Sequence, residues 1–128
     1  MLGVMALAGC QTGPREFQAE VTTNCGPDGK VVSEVFDFFK FDCVENCGYV
    51  STGQPTSDEP FPLTVFYRSF AEERGGDNYL IYPADMKDWS GRSDIALDEL
   101  GTDVTRPALS GDGTCTVRIE ELTDDVRD

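Results

Sequence analysis

Histidine is absent from this 128-residue chain. That removes the Ser-His-Asp and Cys-His arrangements of nucleophilic catalysis and the common imidazole metal ligands. Cations are scarce as well: ten Lys and Arg stand against 24 Asp and Glu, for a formal charge of −14. Such a surface does not suit nucleic acid, which is held by the opposite field. Nor would it be drawn electrostatically to anionic lipid headgroups. No segment approaches the ~18 consecutive apolar residues that a membrane-crossing helix needs. There is no phosphate-cradling glycine motif, and Gly111-Asp112-Gly113 reads as a turn. A carboxylate pair for glycosidic hydrolysis can be found at many spacings among so many acids, yet no pair stands out. No catalytic residue, metal ligand or cofactor is assigned, and the expectation is a non-enzymatic protein.

The acidity that remains has two readings. Solubility is the simpler; steering of a cationic partner is the sharper.

At the other extreme of polarity, Met1–Gly9 carries no charged side chain and ends in Leu7-Ala8-Gly9-Cys10. This resembles the lipobox of bacterial lipoproteins, where signal peptidase cuts just before the cysteine. The resemblance implies a diacylglycerol on the Cys10 sulfur and an acylated new N-terminus. Several acyl chains matter, because one chain holds a protein to a membrane only marginally, at about 0.8 kcal/mol per buried CH₂. A signal peptide should also open with a basic region. None precedes Cys10, so the start codon is expected upstream; the competing reading is a buried first strand. The resemblance therefore implies a signal peptide over 1–9, a lipidated tether over 10–16 and a location in the cell envelope. That location is the periplasmic face of the outer membrane or the cell surface.

Once Cys10 is lipidated, Cys25, Cys43, Cys47 and Cys115 remain. Four cysteines in an exported chain read as two disulfides with three possible connectivities. The favoured pairing closes a local loop with Cys43–Cys47 and ties the first strand to the last with Cys25–Cys115. The latter would enclose ~90 residues, worth around 4–5 kcal/mol on the chain-entropy model. The Cys43/Cys47 spacing fits neither a zinc ribbon nor a Cys-x-x-Cys redox pair, although a redox role is the functional alternative.

Residues 17–122 are expected to form one domain, followed by an acidic tail over 123–128. Phe17 to Thr23 alternates as a half-buried strand should, and Cys25-Gly26-Pro27-Asp28-Gly29-Lys30 is a turn. Val31 to Phe41 is β-branched and aromatic, which predicts a strand hairpinned to the first, with Phe36, Phe38, Phe39 and Phe41 mostly core. Its polar residues Ser33, Glu34, Asp37 and Lys40 also share one helical face, so a helix over 31–41 in an α+β fold is the alternative. Gly48 to Pro60 reads as a surface loop and Phe61 to Phe70 as a strand. Glu72 to Asn78 reads as a turn and Asn78 to Tyr82 as a short strand. Met86 to Gly91 reads as irregular, with Trp89 plugging one end of the core. Ser93 to Leu100 predicts a short helix, with Ser93 as N-cap, Asp94 near its N-terminus and Gly101 just past its end. Gly101 to Gly113 reads as loop, and Cys115 to Glu121 as the last strand, with Cys115, Val117 and Ile119 inward. The sum predicts a mainly β fold: a small antiparallel sandwich or barrel with at most one short helix, reinforced by disulfides.

Asp77-Asn78 after Gly75-Gly76, and Asp112, are hard-oxygen candidates for calcium. Neither has the regular ligand spacing of an EF-hand, and solvated turn residues are the preferred reading.

Cys25 through Phe36 is faintly similar to the strand–turn–strand of periplasmic lysozyme-inhibitor lipoproteins; none of that family's inhibitory residues can be matched here. The expected function is binding or scaffolding of another envelope component, a protein partner, with the membrane reached through Cys10. An inhibitor of a cationic cell-wall hydrolase is the alternative, and a carboxylate-type glycan hydrolase the outsider.

Overall fold

The computed structural model describes residues 15–40, 48–85, 93–109 and 113–122. Its frame starts from the alternation in the first strand. In β1 (Arg15–Thr23), Phe17, Ala19, Val21 and Thr23 are buried, and the residues between them face outward. Gly29 turns the chain with a φ of 71°, and its N–H donates to the Gly26 carbonyl at 3.1 Å. β2 (Val32–Lys40) then returns antiparallel, with Phe38 opposite Phe17 and Phe36 opposite Ala19.

Residues 32–40 are therefore strand, not helix. Period two also corrects the aromatic assignment. Phe36 and Phe38 are core, but Phe39 points the other way and is 39% exposed, because neighbours in a strand cannot share a face. Phe41 lies outside the described residues, as do Trp89 and the tail over 123–128.

The remaining strands are β3 (Gly48–Thr52), β4 (Gln54–Pro55), β5 (Leu63–Phe70), β6 (Asn78–Pro83), β7 (Ser93–Ala96), β8 (Val104–Pro107) and β9 (Thr114–Glu121). They build a five-stranded sheet in the order β4-β2-β1-β9-β8 and a four-stranded sheet in the order β3-β5-β6-β7. Every pairing is antiparallel. The inner faces share one core in which Phe17, Phe38, Tyr67 and Tyr79 meet at centroid separations of 5.0–6.3 Å. This is the mainly β, antiparallel sandwich that the alternation predicts.

Three segments differ from expectation. The stretch after Gly48 is not simply loop: β3 pairs with β5, and β4 pairs with β2. Its Ser, Thr and Gly content reads as loop, yet buried Ser51 accepts the Phe39 N–H on its hydroxyl at 2.8 Å. Between the two strands the chain changes sheets at Gly53. There the N–H still donates to the Val65 carbonyl at 2.8 Å, and Thr56 already donates to Val35 at 2.9 Å. A Cβ at Gly53 would meet the Phe38 ring at 2.8 Å and the Val65 carbonyl at 2.9 Å, so glycine is what permits the corner.

Residues 93–96 form a strand rather than the first turn of a helix, because Ile95 finds a fully buried place opposite Tyr79. Pairing of this kind overrides local propensity. Only Leu97–Glu99 winds, as one 3-10 turn whose Glu99 carboxylate accepts the Ala96 N–H at 2.9 Å. Gly101 does follow its end, with a φ of 81°. Within the predicted loop of 101–113, Val104–Pro107 pairs with β9 and buries Val104 opposite Val117.

The flank opposite Gly53 is closed by a side chain. Arg106 of β8 donates through Nη2 to the Asp94 main-chain oxygen of β7 at 2.6 Å and through Nε to the Ser93 hydroxyl. One disulfide is present among the described residues. It joins Cys25, just past β1, to Cys115 in β9 across a sequence separation of 90, and both residues are buried.

Candidate functional site

The two outer faces of the sandwich differ in what they offer. On the four-stranded sheet, Phe66 packs edge-to-face on Tyr82 at 5.4 Å, and the Arg68 guanidinium lies 4.6 Å from the Phe70 centroid. Leu80 and Tyr82 on that face are only 6% and 8% exposed. The β6 part of this face is thus shielded, while Val50 on the β3 edge is 49% exposed.

The five-stranded sheet is open. Alternation sends Glu16, Gln18, Glu20 and Thr22 of β1 outward, with Ser33, Val35, Asp37 and Phe39 of β2 and Thr116, Arg118 and Glu120 of β9. Register then decides which of them are neighbours. Gln18 sits beside Asp37 and donates to its carboxylate at 2.8 Å, and the Thr22 and Ser33 hydroxyls bond at 2.8 Å. Glu20 lies between Val35 on one side and Glu120 on the other.

That last pairing sets two carboxylates side by side. Directly opposed residues of antiparallel strands have Cβ atoms about 4.5–5.5 Å apart, and like charges placed so are destabilising. Arg118 relieves the pair only in part. Its Nε is 3.0 Å from Asp103 and its Nη1 3.9 Å from Glu120, and the side chain is half exposed, where ion pairs contribute little. Glu16 and Asp37 lie further along the same face, Asp37 bonded to Gln18, so the face is acidic without a close group of carboxylates.

Other carboxylates are engaged in the fold. Asp77 accepts the Tyr67 phenol at 2.5 Å and the Phe70 N–H at 2.9 Å, with Lys40 Nζ at 3.9 Å. Glu121 accepts the Tyr79 phenol at 2.7 Å, joining β9 to β6 between the sheets. Both tyrosines are fully buried and need such acceptors. Glu34 occupies an inward position of β2, where burial resists its ionisation. The Ser57 hydroxyl at 2.6 Å, the Thr56 and Ser57 N–H groups at 3.1 and 3.2 Å and the Thr56 hydroxyl at 3.3 Å outweigh that resistance. Its carboxyl is held below the ordinary value of 4.5.

Against protein-family models, curated proteins and solved structures, the chain matches nothing.

The calcium candidate at Asp77-Asn78 is occupied by this bonding, since Asn78 also accepts from Arg68 Nε at 3.1 Å. No cluster of three or more metal-ligating side chains occurs among the described residues. Asp112 lies outside them, as do Cys10, Cys43 and Cys47. Of the four cysteines considered for disulfides, the structure brings Cys25 and Cys115 together. No helix among the described residues is long and apolar enough to cross a membrane.

Sequence reasoning missed Glu20 and Glu120 as a pair. Their alternation places both outward, but nothing local sets them side by side; that needed β1 to pair with β9. Glu34 and Arg106 were missed because each serves a contact with a distant strand or loop.

Proposed function

We propose that this chain is a non-enzymatic, lipid-anchored protein of the cell envelope that binds another envelope component through the outer face of its five-stranded sheet. The carrying observation is Glu20 opposite Glu120 on an exposed face. A like-charge pair there costs stability in the free protein and is compensated when a cation sits between the carboxylates. The bound component is accordingly cationic. The −14 charge would speed its approach, and the rate would fall as salt rises.

The absence of histidine, together with the engagement of Asp77, Glu121 and Glu34 in the fold, supports a binding role over a hydrolytic one. Lipid on Cys10 would hold the domain beside a membrane that its own charge does not favour. The acidic face also favours a second reading, in which the cationic component is a cell-wall hydrolase and the chain its inhibitor.

Two measurements test these readings. Mass spectrometry of the protein extracted from membranes should find a diacylglycerol-bearing Cys10; a Cys10→Ser protein that stays in the membrane fraction after a salt wash would refute the anchor. The full chain in detergent should bind a basic protein such as lysozyme at low salt and release it at high salt. Loss of lysozyme activity on binding favours the inhibitor, binding without that loss favours the scaffold, and no binding at low salt removes both.

A further inference from the structure

Gln54 to Pro60 are all exposed, so no buried side chain of their own holds them to the domain. The chain is anchored on both sides of this stretch. Before it, the Gly53 N–H donates to the Val65 carbonyl at the corner between the sheets. After it, Phe61 packs edge-to-face on Phe36 at 5.4 Å, and the Pro62 carbonyl accepts the Ala84 N–H at 2.9 Å. Between these anchors residues 54–60 form a strap at the edge of β2. Its main-chain hold is short. β4 pairs with Phe36 and Asp37 over two residues, one of them a proline without an N–H, and Thr56 then donates to Val35.

Among the described residues, the side-chain bonds between strap and sheet converge on one carboxylate. Glu34 Oε2 accepts the N–H groups of Thr56 and Ser57 and the Thr56 hydroxyl, and Oε1 accepts the Ser57 hydroxyl. Glu34 is buried at an inward position of β2, opposite Val21 on β1. Four donors suit a carboxylate and not a carboxylic acid. Protonation turns one oxygen into a donor, and the bonds that remain lose the charge that makes them about twice as strong as neutral ones.

Burial works against ionisation of Glu34, and the bonds from Ser57 and Thr56 outweigh it, which holds its carboxyl below the ordinary 4.5. No charged side chain contributes to that balance. Val21 cannot titrate, Glu20 of β1 and Asp37 of β2 belong to the outward parity, and Asp58 and Glu59 of the strap are exposed.

We propose that Glu34 is an acid-sensitive latch: when its carboxylate is protonated, residues 54–60 leave the edge of β2 while both sheets stay folded. With the strap closed, the four donors hold Glu34 ionised; with it open, water surrounds an ordinary carboxyl. Acid therefore favours the open form. The strap is closed above the ordinary 4.5 and lets go as pH falls through the lower folded value. The core is held by apolar burial and by the Cys25–Cys115 disulfide, neither of which titrates in acid. Release bares the Val35 carbonyl and an edge of β2 that the strap otherwise covers. The latch is separate from the outward Glu20–Glu120 pair, because Glu34 faces the interior.

The test follows the full chain in detergent by nuclear magnetic resonance from neutral pH to about pH 3, below the ordinary carboxylate range. The carboxyl carbon shift of Glu34 reports its protonation. As it protonates, Thr56, Ser57 and Glu59 should fall to order parameters below about 0.6, while Val21, Val117 and Ile119 stay near about 0.85. Glu34→Gln should loosen the strap already at neutral pH and remove its acid response. Its Ser57 amide should exchange at least about tenfold faster, the equivalent of one lost bond to a charged group. Ser57→Ala deletes the shortest of the four bonds and should move release to higher pH. Asp58→Asn/Glu59→Gln should keep the transition and serves as the control for the exposed acids.

A strap that stays ordered after Glu34 has protonated, or that loosens only together with Val21, Val117 and Ile119, overturns the proposal. So does a Glu34→Gln strap as protected as the parent's. Should that variant fail to fold, an unmoved transition in Ser57→Ala overturns the proposal in its place. Loss of the transition in Asp58→Asn/Glu59→Gln would assign the trigger to those acids and overturn the role of Glu34.

Discussion

Glu20 and Glu120 stand directly opposite each other on the outer face of the sheet, in the strand pair that the Cys25–Cys115 disulfide ties together just past the end of β1. The same two strands therefore hold the strongest covalent constraint among the described residues and a repulsive pair. A fold tolerates such a pair when the rest of the sheet sets the register firmly. Here it is set by Ala19, Val21, Val117 and Ile119, which a one-residue slip would expose.

Glu20→Gln removes the repulsion while preserving side-chain size. It should stabilise the protein by about 0.5 kcal/mol at low salt, with the gain shrinking as salt rises. Urea unfolding at two ionic strengths measures this. An unchanged or lowered midpoint at low salt would show that the pair is not repulsive.

Glu34 gives a pH dependence with a definite sign. Its folded value is depressed, so its stabilising contribution is complete above the ordinary 4.5 and is lost as pH falls through the lower folded value. Glu34→Gln replaces one accepting oxygen with a donating NH2, leaves at least one of the four donors short of an acceptor and should cost about 1–3 kcal/mol at neutral pH. It should also flatten the decline in stability below about pH 4.5, the range of an ordinary carboxyl. Urea midpoints from neutral to acid pH for both proteins provide the check; parallel curves would contradict it.

The Cys25–Cys115 bridge closes most of the domain and is buried at both ends. The double variant Cys25→Ala/Cys115→Ala should lose around 4–5 kcal/mol. In the intact protein the bond should resist dithiothreitol until denaturant opens the sheet. Fast reduction under native conditions, followed by thiol labelling and mass analysis, would count against that burial.

Gly53→Ala places a methyl group against Phe38 and the Val65 carbonyl. Overpacking at this sheet-to-sheet corner should cost about 1–3 kcal/mol. A thermal midpoint within error of the parent would mean the corner relaxes freely.

Much of the strand content was legible because alternation is a local signal. Phe17 to Thr23, Leu63 to Tyr67 and Cys115 to Ile119 each carry apolar residues at period two, and each buries that parity. The signal failed where a strand is short or sits at an edge. β3 and β4 are built of Gly, Ser, Thr, Gln and Pro beside Tyr49 and Val50, and their pairing comes from β5 and β2. Ser93 to Ala96 has a good N-cap residue and an acid after it, both helix-opening features. The place opposite Tyr79 that Ile95 fills outweighs them.

The sequence by itself determined the charge, the lack of imidazole chemistry, the mainly β character and the faces on which most strand residues lie. All of these depend on composition or on neighbours within a few positions. Only the tertiary structure decided that Glu20 meets Glu120, that Cys25 bonds to Cys115, that Glu34 is buried beneath Thr56 and Ser57, and that Phe39 is exposed. The physical reason is the same for each. A strand's parity is set by its own residues, but its neighbours are set by which distant strand buries the complementary face.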